Sequence, residues 1–181
     1  MDYAPNIAAV YKRATDSEHA AGLSWYSDAH NLALTLSPND VWKGAGVIAA
    51  FSPLKRWETN VRMAQRAFDT GIASGHTNLC NGIAQRILDG AHPLDVMRGD
   101  KTRSFTQAIA TNGNGTIATI DRHAHDIAVG YYSTDKNRNI GKRLYRDMAS
   151  AYLECADYFG ISVNAMQAIT WIVWRREKGI K

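Results

Sequence analysis

Asp121 stands in T-I-A-T-I-D-R-H-A-H-D, directly after an apolar β-branched run and directly before a helical pattern. A carboxylate at the mouth of a helix accepts hydrogen bonds from the first backbone N–H groups, a cap that contributes about 1 kcal/mol. That structural use accounts for the residue by itself. A carboxylate fixed there is also the anion that a developing cation needs, so Asp121 is a candidate for stabilising positive charge in a reaction. Lys101, in V-M-R-G-D-K-T-R-S-F, follows a glycine turn at the head of another helix. Its ammonium sits at the unfavourable end of the helix dipole, so helix stability does not explain it, and an amine is a nucleophile. A solvated turn lysine is the plain alternative. His123 and His125 lie two apart; on a helix they point about 200° from one another, so joint ligation is not expected. No metal and no cofactor are expected.

Helices must position these residues. Trp25, Tyr26, Ala29, Leu32, Ala33 and Leu36 form an apolar stripe that Ser37-Pro38 stops. Ser37, Pro38 and Asp40 read as the start of the next helix, Asp40 to Phe51, which is apolar nearly all round and therefore buried. Ser52-Pro53 repeats that punctuation. Trp57, Val61, Ala64 and Phe68 continue at helical spacing until Gly71 and Gly75. Further helical patterns cover Asn78 to Leu88, Thr102 to Ile109, Asp121 to Tyr131, Gly141 to Phe159 and Asn164 to Arg175, with a basic, turn-rich connection from Ser133 to Asn139. The fold class is all-α, with eight to ten helices. V-I-A-A-F and T-I-A-T-I are too few strand partners for a sheet. Asp126, five residues beyond Asp121, reads as a helix-surface acid, and the five tryptophans as core anchors.

Composition narrows the class. The 181 residues are 45% hydrophobic, enough for one ordinary domain with a core and against disorder. The whole chain reads as a single helical domain, with which two lobes remain compatible. No apolar run approaches the roughly 20 residues that span a bilayer, and M-D-Y-A-P lacks the pattern of a signal peptide, so a cytoplasmic protein with no membrane partner is expected. Cys80 and Cys155, both in helical patterns, cannot build a disulfide framework, an iron–sulfur cluster or a four-cysteine zinc site; two buried thiols are expected. A net charge of +4 is compatible with a polyanionic partner without requiring one. The basic residues cluster: Lys55-Arg56 with Arg62 and Arg66, then Arg98-Lys101-Arg103, Lys136-Arg138-Lys142-Arg143-Arg146, and Arg175-Arg176-Lys178. Solvated helix faces are the bland reading of each.

The order of these pieces resembles the helix-hairpin-helix DNA glycosylase superfamily of endonuclease III-like and 8-oxoguanine glycosylase-like enzymes. In that family a buried helix ends in a Ser-containing turn and runs into an Asn-bearing helix, similar to V-I-A-A-F-S-P-L-K-R-W-E-T-N from Val47 to Asn60. A Gly-x-Gly-x-Lys hairpin follows, and about twenty residues later a Val-Asp-x-His segment opens a helix; here these are Gly99-Asp100-Lys101 and Ile120-Asp121-Arg122-His123. Met97 replaces the hairpin's first glycine and Asp100 places an acid in it. The resemblance implies a two-lobed α-helical fold with an interlobe cleft, its central lobe about residues 40–131 and its second lobe 1–39 with 132–181.

It also implies an activity: cleavage of the N-glycosidic bond of a damaged or modified base flipped out of duplex DNA, mono- or bifunctional. Asp121 would stabilise the oxocarbenium-like charge, and in a bifunctional enzyme Lys101 would attack the sugar C1′ as a lyase nucleophile. Gly99, Arg98 and Arg103 would bind DNA at the hairpin. Leu54 would be the wedge in the gap left by the flipped base, with Lys55 and Arg56 on phosphates. His123 would contact the DNA backbone or orient Asp121, a packed histidine being the alternative. The protein is expected to act as a monomer. A non-catalytic helical DNA-binding protein and an N-glycosidase acting on free nucleosides or nucleotides are the other classes considered.

Overall fold

The computed structural model describes residues 2–133 and 140–180. Among them the chain is all-helical: α1 (Ala4–Tyr11), α2 (Asp16–Leu36), α3 (Val41–Phe51), α4 (Trp57–Thr70), α5 (Asn78–Leu88), α6 (Pro93–Val96), α7 (Asp100–Ala110), α8 (Arg122–Val129), α9 (Lys142–Phe159) and α10 (Val163–Glu177). Lys136, Arg138 and the rest of the expected basic connection after Ser133 lie outside the described residues. No helix of the described residues is long and apolar enough to cross a membrane. Cys80 and Cys155 are buried free thiols, as expected.

Several boundaries have local causes that differ from those expected. The second helix begins nine residues before Trp25, because Thr15 and Glu18 form a reciprocal capping box: the Thr15 N–H donates to Glu18 Oε2 at 2.8 Å and the Glu18 N–H to Thr15 Oγ1 at 3.3 Å. The cap of α3 is Asp40, whose Oδ1 accepts from Lys43 N at 3.0 Å, and not Ser37, whose own N–H continues α2 by donating to Ala33 O. Ser52 closes α3 through its hydroxyl on Ala49 O, and α4 starts five residues later without a side-chain cap. Helices α4, α8 and α9 each end on a left-handed glycine: Gly71, Gly130 and Gly160.

The chain divides into two compact units, one made of residues 28–112 and the other of 1–27 with 113–181. In the continuous unit α3 is central and packs on α4, α5, α6 and α7. Residues 44–51 of α3 are all buried, which is why its sequence is apolar all round. In the discontinuous unit α1, α8, α9 and α10 pack together around Ile7, Ile120, Ile127, Met148, Tyr152, Met166 and Trp174. Asp126 of α8 is fully buried, not on the helix surface: Oδ1 pairs with His125 Nδ1 at 3.1 Å, and Oδ2 accepts from the Ser133 N–H at 3.2 Å. The helix stripe that faces this core includes Asp126, and its carboxylate oxygens are met by the neighbouring His125 ring of the same helix and by the Ser133 N–H beyond the helix end.

Candidate functional site

Asp121 is the N-cap of α8. Its Oδ1 accepts from the backbone N–H groups of His123 at 2.9 Å and Ala124 at 2.8 Å, and among the described residues Oδ2 has no partner. The carboxylate is therefore fixed by one oxygen and half-exposed. The segment that leads into it is pinned by its neighbours. The Tyr145 hydroxyl accepts from Ile120 N and donates to Ala118 O, both at 3.1 Å, while Asn164 Nδ2 donates to Ile117 O at 3.3 Å. From below, Tyr152 donates to Ala124 O at 3.3 Å, and Asn6 donates to Ala128 O at 2.9 Å near the helix end. This explains how residues 118–120 are buried without belonging to a sheet, while Thr116 and Ile117 before them are exposed: the Ala118 carbonyl and the Ile120 N–H are both satisfied by the Tyr145 hydroxyl.

His123 is buried on the same first turn. Arg122 Nε donates to its Nε2 at 3.3 Å, so Nε2 is the acceptor and the neutral ring carries its proton on Nδ1. Burial holds the imidazole below the usual histidine range; the charge of Asp121 raises it and loses to burial. Nδ1 is buried and has no partner, leaving a donor without an acceptor beside the fixed carboxylate.

A hydrogen-bonded polar cluster lies in the same unit. The buried Tyr26 hydroxyl donates to Gln167 Oε1 at 2.9 Å, with Thr119 Oγ1 a longer partner at 3.4 Å. Burial raises the Tyr26 phenol far above its ordinary range, and Asp121 raises it further, so the hydroxyl remains a donor. Along α10, Gln167, Trp171 and Arg175 follow at i, i+4 and i+8 on one face. The Arg175 guanidinium lies 4.3 Å over the Trp171 ring, and Trp25 meets Trp171 edge-on at 6.4 Å. Tyr26 lies on the apolar stripe read from the sequence, and no short-range spacing connects it to Gln167, 141 residues on.

The remaining expected residues are carried by the other unit. Lys101 is the second residue of α7, half-buried and without a hydrogen bond or ion pair among the described residues. Gly99 is the N-cap of α7, in an extended conformation open to any residue, and its carbonyl accepts from Thr102 Oγ1 at 3.0 Å. Arg98 is exposed. Arg103 holds the turn between α6 and α7, its Nη1 donating to the carbonyls of Leu94 and Met97. Met97 itself is buried, its sulfur accepting from Thr106 Oγ1 at 3.2 Å and its N–H donating to Pro93 O.

Leu54 is 94% exposed and left-handed, at φ 57°. Lys55 and Arg56 beside it are exposed, and His76 Nε2 holds the loop by a 2.8 Å hydrogen bond with Pro53 O. No group of three or more His, Cys, Asp or Glu side chains among the described residues is placed to hold a metal ion.

Neither a curated protein nor a solved structure gives a significant match to the chain. A family model matches residues 1–178, and the chain belongs to that family, DUF7178, a family of unknown function.

Proposed function

We propose that the protein is a DNA base-excision glycosylase of the helix-hairpin-helix kind, with α6, Met97–Gly99 and α7 as its hairpin and Asp121 as the residue that stabilises charge during cleavage of the glycosidic bond. The observation that carries the reading is the state of Asp121. One oxygen is fixed by two backbone N–H groups, and the other is unpartnered among the described residues on a half-exposed carboxylate. A preorganised anion of this kind needs no reorganisation when C1′ becomes cationic, which is where electrostatic catalysis gains most. A pure helix cap would leave the reaction without such a group; a cap with one oxygen to spare serves both purposes.

Leu54 supports duplex DNA over a free nucleoside as substrate. A leucine held left-handed and nearly fully exposed is costly to the folded protein, of the order of 1–2 kcal/mol in backbone strain, and contributes no burial in return. Insertion between base steps, flanked by Lys55 and Arg56, gives the exposed side chain a function. The bifunctional form of the reading assigns the nucleophile to Lys101.

The test is a panel of duplexes carrying different modified bases, with released bases identified by mass spectrometry. Asparagine caps helices as well as aspartate does, so Asp121→Asn removes the charge and keeps the fold. We expect one modified base to be released and the variant to lose roughly 100- to 1,000-fold in rate. Base release at full rate by Asp121→Asn overturns the assignment. Borohydride added during turnover separates the two forms: a trapped covalent adduct that disappears in Lys101→Gln marks the lyase, and an adduct that persists assigns the nucleophile elsewhere.

A further inference from the structure

The outward face of α9 carries a charge pattern that neither its own helix nor its unit accounts for. Toward the core this helix of 18 residues buries Tyr145, Met148, Tyr152 and Cys155. Arg143, Arg146, Ser150, Glu154 and Asp157 are all exposed. At about 3.6 residues per turn these positions fall within an arc of about 80°, one stripe along a helix about 27 Å long. Cations occupy the N-terminal end of the stripe and anions its C-terminal end, the reverse of what the helix dipole favours. Gly141 supplies no side-chain cap, and no acid stands in the first turn to offset Lys142 and Arg143. Contacts inside the chain do not compensate. Arg143 reaches Asp147 only at 4.0 Å, with its own side chain 92% exposed, and Arg146, Glu154 and Asp157 have no hydrogen bond or ion pair among the described residues. Leu153 and Tyr158, 40% and 80% exposed, border the stripe on either side.

Read in reverse, the stripe is complementary to itself. We propose that it is the contact between two copies of this chain, packed antiparallel through α9 about a two-fold axis at Ser150. Arg146 and Glu154 are equally far from Ser150 along the helix, and so are Arg143 and Asp157. A two-fold axis there brings Arg146 of one copy to the level of Glu154 of the second copy, and Arg143 to the level of Asp157, each pair formed twice. The long arginine side chains span the lateral offset between facing helices. The two dipoles run in opposite directions, so each basic N-terminal end lies against an acidic C-terminal end. Charges that oppose the dipole within one helix thereby become favourable between two. Ser150, small and at the axis, lets the backbones approach, and Leu153 and Tyr158 supply apolar area at the sides. A parallel pair would set arginine against arginine and acid against acid. One helix face of this length makes a small, polar contact, so the dimer is weak and salt-sensitive rather than obligate. The monomer expected above is its dissociated form. The contact does not involve Asp121, so it and the glycosidic reading stand or fall separately.

Sedimentation velocity of the full chain tests the contact. Between about 1 and about 100 μM protein the wild type should pass from monomer to dimer at about 0.1 M salt. It should remain monomeric at about 1 M salt, where the Debye length has fallen from about 10 Å to about 3 Å. Arg146→Glu and Glu154→Arg are confined to the exposed face, and each should raise the dissociation constant at least about 10-fold, because symmetry repeats the like-charge contact. An equimolar mixture of the two variants should dimerise again, since each reversed position then meets the oppositely reversed position of the other protein. Recovery on mixing cannot come from a change in the stability of either helix alone. A wild type that stays monomeric at about 100 μM and about 0.1 M salt overturns the proposal and leaves the face to a protein other than this chain. A dimer indifferent to salt and to both single reversals overturns it as well, assigning the contact to another surface. So does a mixture of the variants that stays monomeric.

Discussion

At the scale of single residues, two aspartates five positions apart in and before α8 have opposite environments. Asp121 is half-exposed with one oxygen to spare, whereas Asp126 is fully buried with both oxygens engaged. Removing the second takes from the partly buried His125 ring and Ser133 N–H an acceptor that is itself fully buried, and breaking a buried hydrogen-bonded pair is costly. Asp126→Ala is therefore expected to lower the free energy of unfolding by about 3 kcal/mol in urea melts. Exposed Asp147 on α9 is the control, and its alanine variant should stay within about 0.5 kcal/mol of the parent. Equal effects at the two positions would contradict the buried pairing. The sequence carried the role of Asp121, since an apolar run followed by an acid and a helical pattern is a cap signal in itself. It did not carry that of Asp126, whose burial depends on a backbone N–H seven residues on. Arg103 is a similar case. As one of a basic cluster it reads as a phosphate contact, while the turn between α6 and α7 takes its guanidinium for two carbonyls.

At the scale of elements, the helices were legible where their caps are local. Asn78 to Leu88 and the left-handed glycine closing α4 follow from apolar period and chain punctuation alone. The T-D-S-E capping box at Thr15 was an equally local signal and accounts for the early start of α2. What the pattern could not show is how closely α3 approaches its neighbours. A Cβ on Gly46 would lie 2.5 Å from Pro93 Cγ and 3.3 Å from Ile87 Cδ1, while a Cβ on Gly82 of α5 meets nothing within 4 Å. Both glycines are inside helices, where alanine is intrinsically better by about 1 kcal/mol. Gly82→Ala should realise that gain, whereas Gly46→Ala should lose about 1–3 kcal/mol to overpacking and end below the parent in thermal melts. A second contrast concerns the α3–α4 loop. Leu54→Gly removes left-handed strain and adds unfolded-chain entropy of similar size, so stability should change by less than about 1 kcal/mol. If Leu54 is the wedge of the proposed glycosylase, the same variant binds lesion-bearing duplex more weakly and releases base more slowly. Unchanged base release at unchanged stability would remove Leu54 from the DNA interface.

At the scale of the molecule, the two chain ends belong to one unit and are tied to each other there. Arg13, after α1, makes a bidentate pair with Glu177 at the end of α10, at 2.7 and 3.0 Å, and Arg176 reaches Glu18 at 3.2 Å. The hydrogen bond from Arg13 holds the Glu177 carboxyl below its usual range. In the same unit burial holds His123 below its own. Both shifts have the same sign for stability, because in each case the unfolded chain binds protons more readily than the folded one. The contribution of His123 is complete above its unfolded value of about 6.5 and is lost as pH falls from there toward the depressed folded value. That of Glu177 is complete above the ordinary glutamate value of about 4.3 and is lost at still lower pH. Thermal melts taken from pH 8 downward should therefore fall in two stages, the first below about pH 6.5. His123→Gln should flatten the first stage without touching the second. Glu177→Gln should flatten the second only slightly, since an exposed pair of this kind is worth no more than about 1 kcal/mol and is screened by salt. A first stage that survives in His123→Gln would mean that another group, and not this imidazole, carries the stability lost below about pH 6.5.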